Sequence, residues 1–348
     1  MSLTFLRIQR RRRSAVVWLA GLALMLGLSG CGQPAPGNAG STDASGNSSA
    51  SSGTQSAAPS ADTAASSNAA NSGEKMVKHV WGETPIQGIP QKVAALDFYI
   101  VDSLVSLGVQ PAGIAGTGDT RVPAYLKDQV GTFTDLGERK EPNLEVIRSL
   151  NPDLIIASPD RNKTIQGELE NIAPTIALSD DSYQKILQNV DLLANVFGKP
   201  DQAKQVRADL EAKIQQAKEK VTSPMSVLVA GAFEDEVSVW LQNSFVASLM
   251  ADMGLNYDFD GAKANTEGNA DIAQITVERL ADYNSDVLFL YGDSISKLKE
   301  NPLFRQLKAA KEGRVYEVDR DLWSRARGPI AAGLIVEQAA ALLSGQGK

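Results

Sequence analysis

One cysteine, Cys31, and one histidine, His79, occur in 348 residues. Their scarcity removes whole classes of chemistry. Without a second histidine or a free thiol, Ser-His-Asp and Cys-His catalysis are unsupported. Metal capture by a histidine cluster is unsupported for the same reason. His79 stands beside a Ser-rich tract and ahead of the first expected strand, so it reads as a surface residue. Glycine fingerprints are missing too: Gly116-Thr-Gly118 is too short to indicate phosphate binding and reads as a turn after a strand. The acidic run Glu234-Asp235-Glu236 reads as a solvated face. No catalytic constellation outranks its bland reading, and the chain is expected not to be an enzyme.

What is present begins at the N-terminus. Arg7 and Arg10 to Arg13 precede an apolar stretch from Ala15 to Leu28, then the small residues Ser29 and Gly30, then Cys31. This is the layout of a secretory signal, too short between its flanks for a comfortable membrane span. Leu28-Ser29-Gly30-Cys31 resembles the lipobox of bacterial lipoproteins, whose cysteine is acylated before the signal is cut. The alternatives are a buried free cysteine after an ordinary signal, or a membrane anchor. Residues 1–30 are thus expected to be a lipoprotein signal, with Cys31 lipidated and the protein held on the extracytoplasmic face of the cell membrane (in the periplasm if an outer membrane exists). With Cys31 lipidated, no thiol remains for a disulfide. Removing residues 1–30 takes away five arginines and no acids, moving the formal charge from −7 to −12. So acidic a chain is a poor candidate for nucleic acid or an anionic lipid surface. Residues 31–75, rich in Ser, Ala and Gly, cannot bury enough apolar surface to offset ordering entropy and read as a flexible tether.

The remaining length suits two ordinary domains. Short apolar runs such as Val93–Leu96, Gly113–Gly116 and Asp153–Ala157 alternate with helical patterns, which argues for parallel sheets with helical crossovers. Tyr183–Phe197 is amphipathic and stops at Gly198; Asp201–Val221 is a long charged helix without Gly or Pro, about 30 Å long. A second α/β series starts at Val227 and partly repeats the first. Asn143–Ala157 aligns without gaps to Thr276–Leu290, matching Glu145 to Glu278, Asn151 to Asn284 and Asp153 to Asp286. The unit is a short helix, an Asx turn and a buried strand. The expected fold is α/β: a lobe over 76–198, a connecting helix over 199–222 and a second lobe over 223–348, with mainly parallel sheets and a ligand cleft between the lobes.

Arginines are the most informative residues in so acidic a chain. Arg320, Arg325 and Arg327 lie within eight residues, between a strand-like Arg314–Val318 and an apolar helix from about Ile330 to Leu343. Loops after sheet strands are the usual ligand position in an open α/β sheet. Guanidinium groups bind carboxylates bidentately, so the cluster suits a polyanionic small molecule. The competing reading pairs these arginines with Glu317, Asp319 and Asp321 as surface salt bridges. In the first lobe Arg121, Arg139 and Arg161 each follow a Gly- or Pro-marked break, as a set on successive loops.

At this point the chain resembles the iron–siderophore substrate-binding lipoproteins of bacterial ABC importers, over roughly residues 78–345. The likeness is carried by Val93-Ala-Ala-Leu96-Asp97, Leu107-Gly108-Val109, Gly137-Glu-Arg139 with Pro142-Asn-Leu-Glu145, Asn151-Pro-Asp-Leu-Ile-Ile156, Ile172-Ala-Pro-Thr-Ile176 and Trp323-Ser-Arg-Ala-Arg-Gly-Pro-Ile330. It implies capture of a ferric siderophore, most fittingly of carboxylate or hydroxamate–carboxylate type, and delivery to an ABC permease dimer with its ATPase. Iron would be held by the siderophore, with no intrinsic cofactor and no protein metal ligand. It further implies ligand contacts from Arg139, Arg320, Arg325 and Arg327, more loosely Arg121 and Arg161, with Trp240 either a cleft wall or a core residue at a strand end, and Tyr99 and Tyr291 as candidate direct contacts. Substituting Arg325 or Arg327 should then cost affinity and little stability. Glu145 and Glu278 would meet permease arginines, although acids at helix starts also favour the dipole. A monomer is expected. The rival classes are an exported α/β hydrolase or oxidoreductase, which lacks a nucleophile–base pair here, and a surface adhesin.

Overall fold

The computed structural model describes residues 73–221, 224–234, 236–257, 259 and 271–345. The signal 1–30, Cys31, the tether up to 72, Thr222 and Asp235 lie outside the described residues. The first element was not expected. β1 (Glu74–His79) and β2 (Gly82–Gln87) form an antiparallel hairpin that starts inside the segment assigned to the tether. His79 is part of it, half-buried and hydrogen-bonded rather than a free surface residue.

The first lobe follows the alternation of the sequence: β3 (Val93–Ala95), α1 (Phe98–Ser106), β4 (Gly113–Gly116), β5 (Thr134–Glu138), α2 (Leu144–Leu150), β6 (Leu154–Ala157), α3 (Gln166–Glu170) and β7 (Thr175–Ala177). Its five strands are all parallel in the order β5-β4-β3-β6-β7. Both faces of this sheet are covered, which is why its strands read as unbroken apolar runs. Ala94, Leu96, Ile155 and Ala157 pack into a small core with Leu136, Ile147 and Leu169. Val93, Ala95, Leu154 and Ile156 face the large core on the other side. Two helices then leave the lobe, α4 (Tyr183–Phe197), capped by Ser182 and ended by left-handed Gly198, and α5 (Pro200–Lys220). α5 buries the stripe Ala203, Leu210, Ile214 and Ala217, with Val206 partly buried beside it.

The second lobe comprises β8 (Val227–Phe233), β9 (Glu236–Trp240), α6 (Phe245–Asp252), β10 (Ile272–Ile275), α7 (Val277–Leu280), β11 (Val287–Tyr291), α8 (Ile295–Glu300), α9 (Lys308–Lys311), β12 (Val315–Glu317) and α10 (Pro329–Leu343). Its sheet, β10-β9-β8-β11-β12, is mixed, because β9 runs antiparallel to both neighbours.

The internal repeat has a physical basis. Asn151 and Asn284 both adopt a positive φ, of 51° and 34°, and turn the chain from helix to strand. Two residues on, the paired aspartates clamp the incoming central strand of each lobe. Asp153 accepts from Gln91 N and Lys92 N at 2.7 and 2.9 Å, and Asp286 accepts from Ser226 N at 2.8 Å.

α5 joins the lobes as expected, and packing across the seam adds a second helix. The apolar helix α10 leaves the second sheet and packs against α1, α4, α5 and α6. Its N-terminus is held by Asp102 of α1, which accepts from Ile330 N at 2.9 Å, Ala331 N at 3.0 Å and Tyr125 Oη at 2.8 Å. Gly328 is required beside it, since a Cβ there would lie 2.0 Å from the carboxylate carbon. Burial pushes the Asp102 carboxyl from 3.8 to about 6, against the pull of its three donors. The folded state therefore holds this proton more tightly than the unfolded chain does. The associated stability is fully present below pH 3.8 and is lost as pH rises through 6. Asp102→Asn, neutral with one acceptor oxygen retained, should remove that dependence. Against wild type the variant should gain about 2–3 kcal/mol in denaturant unfolding between pH 4 and pH 7. Parallel pH profiles would show that the carboxyl titrates normally.

Candidate ligand-binding cleft

Strand order reverses between β3 and β6, and polar side chains collect where the first-lobe strands end. Asp97 lies two residues beyond the end of β3, accepts from Phe98 N at 2.7 Å as the cap of α1, and is 1% exposed. It receives Arg139 at 2.9 Å and Arg161 at 3.3 Å. Burial alone would push its carboxyl up; Arg161, Arg139 and the Phe98 N–H together outweigh that and hold it below the usual range. Arg139 follows β5, donates from Nε to Thr117 Oγ1 at 2.6 Å and lies 4.6 Å from the Phe98 ring centroid. Arg161 follows β6 and reaches Asp180, beyond β7, at 3.6 Å. Buried Asn162 ties the two arginine loops together, donating to Arg139 O at 2.8 Å and accepting from Ser158 N at 2.9 Å.

In the second lobe the chain after β12 forms a wide helical turn closed by Ala326 N on Asp321 O, in place of an extended loop. Buried Trp323 anchors it, stacking on Phe289 at 4.7 Å and donating to Gln338. Arg320 lies 4.3 Å from the Phe233 ring centroid and 3.5 Å from Asp293; Arg325 pairs with Asp321 at 2.7 Å. Arg327 is buried, 4.8 Å from the Trp240 ring centroid, and bonds Asp180 and Asp271 at 2.9 Å each. Burial opposes its charge, and Asp180 and Asp271 more than offset this, so its pKa rises.

These residues share one cleft of about 1350 Å³, lined by Arg139, Arg161, Arg320, Arg325, Arg327 and Trp240. Seven arginines and lysines line it against four aspartates, Asp160, Asp180, Asp181 and Asp271. The lining itself thus carries more cations than anions in a chain of net charge −7, while Asp97, Asp293 and Asp321 pair with Arg139, Arg161, Arg320 and Arg325 without lining it. The arginines keep donors in reserve. Among the described residues, Arg139, Arg161, Arg325 and Arg327 all engage protein acceptors through Nη1 and none donates from Nη2. Trp240 lines this wall, with its Nε1 buried, and Tyr291 Oη is buried behind it.

Three expected contacts are corrected. Tyr99 is 1% exposed, and its hydroxyl donates to Leu178 O at 2.5 Å, so it is a core residue; burial raises its pKa. Arg121 does not reach the cleft: it pairs with Asp135 at 2.7 Å and Glu138 at 3.5 Å and lines a separate pocket with Asp321. Gly116 brings this loop close, since a Cβ on it would lie 2.2 Å from Thr120 O. The surface-pair alternative holds only for Arg325 with Asp321; Glu317 pairs instead with Lys299. Tyr291 is 1% exposed at the end of β11, behind the wall rather than on it. Sequence reasoning missed Asp97, Asp180 and Asp271 as charge partners, together with Trp81, Lys140 and Lys163. Asp160, Asp180 and Asp181 bring one oxygen each within 4.8 Å of one another, but Asp180 is engaged by Arg161 and Arg327.

Two α/β lobes sharing a charged cleft define a ligand-binding protein of the two-lobed class. Residues 93–322 match the periplasmic binding protein family, and the chain belongs to it. It is 30% identical over 274 residues to the Fe(3+)-citrate-binding protein YfmC of Bacillus subtilis (strain 168), covering 76% of this chain and 84% of that protein. Over 265 residues it is 28% identical to the Fe(3+) dicitrate-binding periplasmic protein FecB of Escherichia coli (strain K12), covering 72% and 84%. The structure of Staphylococcus aureus SirA complexed with staphyloferrin B is similar with a TM-score of 0.69 at 25% identity, covering 77% of this chain and 98% of that one. No helix among the described residues is long and apolar enough to cross a membrane.

The charge pairing changes one expectation. Arg327→Ala leaves Asp180 and Asp271 facing each other with a buried charge removed, and should cost about 3–5 kcal/mol of stability. Arg325→Ala, at a partly exposed pair, should cost under about 1 kcal/mol. Thermal and urea unfolding of the two variants checks this; equal losses would mean that Arg327 is no structural bridge.

Proposed function

We propose that the protein captures an anionic ferric siderophore in this cleft, outside the cytoplasm, and delivers it to an ABC permease. The observation that carries the reading is the excess of cations in the cleft, drawn from strand ends of both lobes. The relatives, named for binding ferric citrate, and the similar structure holding staphyloferrin B agree with it. Iron is cargo, chelated by the siderophore. The guanidinium Nη2 groups bind ligand oxygens while Nη1 stays on aspartate, so each arginine is oriented before the ligand arrives. A carboxylate or hydroxamate–carboxylate siderophore supplies the acceptors this donor set needs. Acylation of Cys31 would hold the protein at the membrane, in keeping with relatives named as lipoproteins. The working unit is taken as a monomer.

Titration of intrinsic tryptophan fluorescence with ferric citrate and with ferric aerobactin, a citrate-based hydroxamate, tests the reading. Submicromolar quenching by either supports it; no response to these or to other siderophore classes removes it. Arg325→Ala should weaken binding roughly tenfold to a hundredfold with the fold intact, the loss of a charge-assisted hydrogen bond. Delivery has its own test. Glu145 and Glu278 are exposed in the first turns of the equivalent helices α2 and α7, as a permease contact on each lobe requires. Glu145→Arg with Glu278→Arg should abolish uptake by cells while the purified protein binds ligand as before. Unchanged uptake would leave these acids with only their favourable interaction with the helix dipole.

A further inference from the structure

The turn between β1 and β2 belongs to the cleft, although nothing in its charge pattern announces it. Val80 and Trp81 line the cleft beside Lys163, whose Nζ is 5.7 Å from the Trp81 ring centroid. Val80 is 57% exposed, and of the described large apolar side chains that stand in solvent (Met76, Val80, Ile89 and Leu303) it is the one on the cleft wall. Single exposed apolar residues are common, but one set next to an aromatic ring inside a charged cleft forms an apolar ledge.

His79 fixes that ledge. Its Nδ1 accepts from Trp81 N at 3.3 Å and from Ala177 N at 3.1 Å, and its Nε2 lies 2.9 Å from Thr84 Oγ1. Thr84 Oγ1 in turn donates to Thr175 O at 2.8 Å, so it is free to accept from the ring. One tautomer, neutral with its proton on Nε2, satisfies every one of these contacts. Val80 N adds a bond to Ala177 O at 3.1 Å. The turn is thus docked on β7, the strand whose extension carries Asp180 into the cleft.

We infer that Val80 and Trp81 receive a hydrocarbon portion of the ligand, and that His79 is the positioning residue that holds them there. Resting on the ferric-siderophore reading, this narrows the ligand to one whose iron-binding groups are joined by aliphatic arms, in preference to bare citrate. The arginines read the oxygens; the ledge reads the carbon between them.

The test compares ferric citrate with ferric aerobactin, whose citrate core carries two aliphatic arms. Trp81→Ala should weaken ferric aerobactin roughly tenfold or more, as loss of an aromatic contact does, and ferric citrate less than about threefold. Val80→Ser, at a position exposed enough to leave folding untouched, should shift the same ratio in the same direction. His79→Leu should reproduce the selective loss. His79→Asn, which keeps an acceptor near Nδ1, should restore much of it, an outcome that a general loss of stability would not give. Wild-type binding of aerobactin with unchanged or equal losses for both probes in Trp81→Ala and Val80→Ser overturns the ledge and leaves the siderophore reading standing. Wild-type binding of citrate alone also overturns the ledge. Binding of no siderophore by the wild type takes both readings down.

Discussion

Arg327 carries a full charge at a position almost closed to water, and the organisation of the cleft follows from how that charge is compensated. Removing a guanidinium from water is costly unless opposite charges and hydrogen bonds replace the solvent. Here Asp180 comes from the first lobe and Asp271 from the second, so neutralising one side chain fixes the relation of the two lobes at the cleft floor. The next residue is Gly328, against which Asp102 packs, and Asp102 binds the first turn of α10. Two adjacent positions thus join the lobes in different ways, one by ion pairing and one by capping a helix. α10 then adds apolar packing along the same seam.

The same compensation operates in the first lobe. Parallel strands end together, and their following loops converge, so Asp97, Arg139, Arg161 and Asp180 come from four separate stretches yet meet within ion-pair distance. Asp97 stays ionised because two arginines and a backbone N–H outweigh its burial. Each aspartate uses part of a guanidinium and leaves the rest available. An isolated surface arginine would be mobile and would lose side-chain entropy on binding a ligand; a paired one has already lost it during folding.

Much of this architecture was legible because it rests on local pattern. Unbroken apolar runs gave strands covered on both faces, Gly198 ended α4, and the stripe on α5 marked its buried side. The repeat was readable because Asn151 and Asn284 do the same local work, as do Asp153 and Asp286. What escaped depends on contacts between distant positions. Arg327 meets Asp180 across 147 positions, and no spacing rule links them. Tyr99 sits in the fully buried part of α1, so its hydroxyl is taken up by Leu178 O and not by a ligand. Arg121 carries the right charge after the right kind of turn, but acids on β5 hold it away from the cleft. The β1–β2 hairpin lacks an Asn-Gly turn and a clean alternation, and its order comes from docking on β7 through a histidine whose place beside the Ser-rich tract marked it as surface.

A cationic cleft in an acidic protein also explains selectivity. At physiological salt the Debye length is about 8 Å, so the net negative charge of the chain does little to steer or repel a ligand until it nears the opening. Inside, the arginines are already partly neutralised, which denies a small lone anion much reward for leaving water. A ligand with several oxygens fixed at the right separations can engage several reserved guanidinium arms at once. Its desolvation is then offset by many bonds made to groups that are already in place. Pairing arginine with aspartate therefore weakens the attraction for charge as such and leaves geometry to decide what the cleft holds.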